Sequence, residues 1–117
     1  MAVTRVYFML MVQDMDRALG FYTGVFGLQS RMSSPYWSEL GFGDATVALH
    51  GGGDGARHET GLGLHVDDLD ATVAAITAAG GVVEAGPTER PKEGIRIATV
   101  RDPEGNTISV AESRWGA

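Results

Sequence analysis

The chain repeats itself, and the repeat limits the folds open to it more than any other feature. Displaced by 54 positions, Val12 falls on Val66, Asp14 on Asp68, Met15 on Leu69, Asp16 on Asp70, Leu19 on Val73, Gly27 on Gly81 and Leu28 on Val82. In the first copy Asp14 precedes apolar residues spaced three and four apart (Ala18, Leu19, Tyr22, Val25, Phe26), and Gly27 follows them. This is the pattern of an amphipathic helix with a side-chain N-cap and a glycine stop. In the second copy Asp68 is the cap and Leu69, Val73 and Ile76 form the buried stripe, which predicts a helix over 69–79. Near the ends of the copies a displacement of 61 lays Thr46-Val47-Ala48-Leu49 on Thr107-Ile108-Ser109-Val110. A capped helix recurring in order with its flanking strands signals a duplicated unit.

Strand-length runs surround both helices. Residues 6–12 (VYFMLMV), 28–32, 36–42 and 45–50 complete a β-α-β-β-β order in the first half. A short strand over 82–84, another over 94–100 and a last over 107–111 do the same in the second. The last is introduced by Asp102-Pro103-Glu104-Gly105-Asn106, a concentration of turn formers that predicts a tight turn. Between the halves lies GGGDG at 51–55, read as a flexible linker because it lacks the Lys-Ser/Thr and the strand-helix setting of a phosphate-binding loop. The 117 residues suit one domain over 1–117, with module one at about 4–50, a linker at 51–57 and module two at about 58–113.

Composition removes several classes of function. The chain has no cysteine, which excludes disulfides, a thiolate nucleophile and cysteine-held metals. A net charge of −6 argues against a nucleic-acid partner. No apolar run approaches the roughly 18 residues of a membrane helix, and the first residues lack an export leader, so a cytoplasmic location without membrane contact is expected.

The segment from Val12-Gln13-Asp14-Met15-Asp16-Arg17 through Phe21-Tyr22 to Phe26-Gly27-Leu28, its echo Val66-Asp67-Asp68-Leu69-Asp70, and the Asp102–Ile108 stretch resemble the vicinal oxygen chelate superfamily of glyoxalases, bleomycin resistance proteins and extradiol dioxygenases. The resemblance covers about residues 4–113. It implies an α+β fold in which two βαβββ modules form a curved, mostly antiparallel mixed sheet around a cavity, in a chain that forms a homodimer. In metal-using members His, Gln or Glu project into the cavity from four strand positions, which fall here on Tyr7, Ala48, Gly61 and Ser109. None of these is an ordinary ligand for a divalent cation, so no metal and no other cofactor is expected.

Alternation along the strands then gives the expected lining. Tyr7 brings Met9 and Met11, Ala48 brings His50, Gly61 brings Gly63 and His65, and Ser109 stands with Thr107 and Ala111. Trp37 and Glu39 edge the same cavity, offering a stacking surface and a negative charge. Met9 and Met11 also suit plain interior packing, and Trp37 a dimer interface. The resemblance and this lining together imply a metal-free protein of the bleomycin-resistance kind that sequesters an aromatic or hydrophobic small molecule. A metal-independent isomerase or cyclase using Tyr7, His65 or Glu39, and a glyoxalase-type lyase or dioxygenase with its metal site elsewhere, are the alternatives.

Overall fold

The computed structural model describes residues 1–114. The first half runs β1 (Phe8–Val12), α1 (Met15–Phe26), β2 (Gln29–Met32), β3 (Trp37–Phe42) and β4 (Ala45–Gly51). The second runs β5 (His58–Val66), α2 (Leu69–Ala78), β6 (Val82–Arg90), β7 (Ile95–Arg101) and β8 (Asn106–Ser113). Each half builds its own four-stranded sheet, ordered β1-β4-β3-β2 and β5-β8-β7-β6. The helix-joined edge strand pairs in parallel, β1 with β4 and β5 with β8, and the remaining pairs are antiparallel. The α+β architecture of two βαβββ modules is therefore present, its strands divided between two sheets that share no ladder.

The local signals account for the helices. Asp14 accepts a hydrogen bond from the Arg17 amide at 3.1 Å, and Asp68 one from the Ala71 amide at 3.0 Å, so both carboxylates cap as expected. Gly27 ends α1 in the left-handed conformation, φ 67°. α2 stops slightly earlier than expected, with Ala79 as its C-cap.

Two sequence expectations need correction. β6 runs to Arg90 instead of ending near 84, through Gly86-Pro87. It is an edge strand with two register shifts, a setting that tolerates a missing N–H. The glycine-rich linker, expected to be flexible, is held at several points. The Gly53 amide donates to the Val12 carbonyl at 2.9 Å, the Ala56 amide to Asp54 at 2.9 Å, and the His58 amide to the Gly105 carbonyl at 2.9 Å.

One core serves both modules. Leu10, Val12, Leu40 and Leu49 of the first sheet, Ile108, Val110, Val100 and Ala98 of the second, Phe21 and Tyr22 of α1 and Leu69 and Ile76 of α2 belong to a single buried cluster. Burying each large side chain is worth about 1.5–3 kcal/mol, so this cluster, more than helix propensity, holds the modules together.

The Asp102–Asn106 turn adds a polar clasp. The Glu104 side chain, fully buried, accepts from the Gln13 and Asp14 amides at 2.9 and 2.8 Å and from Arg17 Nε at 2.6 Å. It thereby satisfies donors at the start of α1 from the other module. Asp102 accepts from Tyr22 Oη at 2.5 Å and from the Glu104 and Asn106 amides, while Asn106 Nδ2 reaches the Met11 carbonyl at 2.8 Å. Burial pushes the Tyr22 phenol well above its ordinary range, assisted by the Asp102 charge. Burial also raises the Asp102 carboxyl, against the pull of its donors.

Candidate functional site

The face of the first sheet away from the core gathers the predicted residues of module one. Along β1 exposure alternates, with Met9 at 45% and Met11 at 36% between the buried Leu10 and Val12. Interior packing of the two methionines is thereby set aside. Register places Met9 opposite Ala48 and Met11 opposite His50 on one side of β4, and Glu39 opposite Ala48 and Trp37 opposite His50 on the other. Side chains two apart share a side, so these six residues and Tyr7 form one surface. Ala48, between Met9 and Glu39, is out of contact with water and adds no bulk.

The polar and aromatic members of this surface are already organised. Trp37 Nε1 donates to Glu39 Oε2 at 2.8 Å, and Arg5 donates to both Glu39 oxygens at 2.8 and 3.2 Å. Tyr7 packs edge-on against Trp37 at 5.6 Å between centroids, and Trp37 against His50 at 5.9 Å. The Arg5 guanidinium lies over the Tyr7 ring, 5.0 Å from its centroid. The Trp37 and Arg5 hydrogen bonds hold the Glu39 carboxyl below its ordinary range. The sequence alone does not single out Arg5, which precedes the apolar run that begins at residue 6. Its place two residues before Tyr7 was the available signal.

The second sheet carries the rest. Gly63 lies opposite Ser109 and His65 opposite Ala111, with Thr99 and Ile97 beyond them. Gly61 sits in the irregular stretch between Glu59 and Gly63, where Thr60 Oγ1 donates to the Thr107 carbonyl. At one end Arg57 forks onto Glu84, with Nε at 3.0 Å and Nη2 at 2.9 Å, and Arg101 lies at 3.7 Å. That charged cluster is not legible in the sequence, since its members come from three separate strands or loops.

Within one chain the two sets do not face each other. Strand β5 lies against the opposite side of the first sheet, across a mostly apolar hollow of about 380 Å³ lined by Phe8, Leu40 and Val47 and, from β5, by Leu62, Leu64 and the predicted Gly63 and His65. Phe8 and Val47 point away from Met9 and Ala48 by strand alternation. The larger hollow, about 710 Å³, opens at the start of α1 beside Ser34 and Pro35 and contains none of the predicted residues.

The residues at the four positions that the resemblance assigns to ligands do not fit a metal. Tyr7 immediately precedes β1 and Ala48 is on β4 of the same sheet, Gly61 and Ser109 are on the other sheet, and glycine and alanine supply no side-chain donor. Among the described residues no three His, Cys, Asp or Glu side chains come together as a metal-holding group.

The family model for the glyoxalase/bleomycin resistance protein/dioxygenase superfamily matches residues 4–110. The chain belongs to this family. Among its relatives, a "Probable lactoylglutathione lyase" of Vibrio cholerae is 33% identical over 91% of this chain and 88% of its own. A "Lactoylglutathione lyase" of Haemophilus influenzae is 35% identical over 91% of this chain and 90% of its own. The fold is shared with a fosfomycin resistance protein, FosX, of Listeria monocytogenes solved with Mn(II) and sulfate, at a TM-score of 0.78. That structure is 15% identical and covers 97% of this chain and 92% of its own. Among the described residues no helix is long and apolar enough to cross a membrane.

Proposed function

We propose that this chain is a metal-free binding protein for an organic small molecule with a flat or aromatic part. The observation that carries the reading is the residue set Tyr7, Ala48, Gly61 and Ser109 at the positions where metal-using relatives place ligands. Small side chains there leave volume, and Met9, Met11 and Trp37 supply adaptable apolar and stacking surface beside it. We further propose a homodimer in which Gly61, Gly63, His65 and Ser109 of a second copy lie over Tyr7, Met9, Met11, Trp37, Glu39, Ala48 and His50 of the first. The exposure of Tyr7, Met9 and Met11 supports it.

A second reading, lactoylglutathione lyase activity, is favoured by the names of the two relatives described above. The same four residues weigh against it. A thermal-shift screen of aromatic compounds, with the stabilisers recovered and analysed by mass spectrometry, tests the first reading. Ligand at 100 times its Kd stabilises by about 2.7 kcal/mol, an easily read rise in Tm. Stabilisers recovered unchanged are expected. Metal-dependent formation or cleavage of lactoylglutathione would establish the lyase instead.

A further inference from the structure

The surface around Glu39 already holds a ligand-like group supplied by the chain itself. Arg5 lies outside the strands, in residues 1–7, and its side chain is half exposed, whereas the Glu39 side chain is 14% exposed. Its guanidinium forks onto both carboxylate oxygens and covers the Tyr7 ring, while Trp37 Nε1 fixes the carboxylate from the other side. A carboxylate walled by a phenol and an indole is a receptor for a planar cation, which gains paired hydrogen bonds and a ring contact together. Arg5 reaches it from an irregular segment through an ion pair of the partly exposed, weak kind. Such a contact is readily exchanged.

We propose that Glu39, Tyr7 and Trp37 recognise an amidinium or guanidinium group of the ligand, and that Arg5 is a displaceable plug occupying that subsite until the ligand arrives. The proposal rests on the ligand-binding reading of this surface and names the chemical class the surface takes.

Benzamidine, with its neutral isostere benzamide as control, provides the test. Binding is followed by indole fluorescence in full-length protein carrying Trp115→Phe, which leaves Trp37 as the remaining tryptophan. Benzamidine is expected to bind more tightly than benzamide. Arg5→Ala is expected to tighten benzamidine roughly three- to five-fold, the range an exposed ion pair can oppose, and to leave benzamide unchanged. Glu39→Gln should remove the preference for the cation, with circular dichroism confirming that the variant is folded. Equal binding of the two compounds, or Arg5→Ala weakening benzamidine, would overturn the plug while leaving the broader ligand-binding reading in place. No binding of benzamidine even to Arg5→Ala would overturn it as well. Failure of the whole aromatic screen would instead remove the reading beneath it.

Discussion

Tyr22 shows how one residue ties chemistry to stability. Its hydroxyl is buried and donates to Asp102, a group from the other module, so the folded protein resists ionising it. In the unfolded chain the phenol titrates near its ordinary value of 10.0. Above that pH the unfolded state loses a proton that the folded state keeps, and stability falls as pH rises. Tyr22→Phe removes this proton along with the hydrogen bond. At neutral pH it should cost about 1–3 kcal/mol, because Asp102 is left buried with one donor fewer. Urea denaturation should then show the wild-type advantage narrowing as pH climbs past 10; an advantage constant through that range would contradict the assignment. None of this was visible in the sequence, where Tyr22 was one apolar position on a helix stripe and Asp102 one turn former.

At the level of elements, the Asp102–Asn106 turn was legible as a turn but not as the clasp of the molecule. Pro and Gly announce a bend, yet nothing local says that Glu104 will cap a helix some 90 residues away. Gly105 adopts φ 95°, and a Cβ there would collide with the Ala56 carbonyl of the linker. Gly105→Ala should therefore destabilise by more than about 1 kcal/mol, combining the strained φ with displacement of the linker. Glu104→Ala should cost about 3 kcal/mol, since it strips Arg17 and two amides of their acceptor. Arg90→Ala, at an exposed pair with Glu93, should stay within about 0.5 kcal/mol. Chemical denaturation of the three variants checks the order, and a Glu104→Ala as mild as Arg90→Ala would refute the clasp. The helices and β1 were legible because caps, glycine stop and alternation are local signals. The course of β6 was not, because an edge strand accepts the Gly86-Pro87 pair that reads as a break.

For the molecule as a whole, duplication was legible from the 54-residue displacement, while the relative placement of the modules was not. That placement depends on which sheet faces share the core, and both faces of each sheet carry apolar residues. The consequence is a module-one surface that its own chain leaves exposed at Tyr7, Met9 and Met11, which is what leads to the proposed homodimer. Light scattering after size exclusion should give a dimer. Mixing chains that carry Trp37→Ala with chains that carry Gly63→Arg should restore ligand binding that each variant lacks alone. A heterodimer then has one intact site built from the unaltered surfaces of both chains. No recovery in the mixture would contradict a site shared between copies.

The central claim is that Tyr7, Ala48, Gly61 and Ser109 border an organic guest and do not hold an ion. The most direct measurement is elemental analysis of the protein after incubation with Zn, Ni, Mn and Fe and exhaustive dialysis without chelator. Metal far below one equivalent per chain is the predicted result. One equivalent retained, and lost on replacing Tyr7 or Ser109, would contradict the claim.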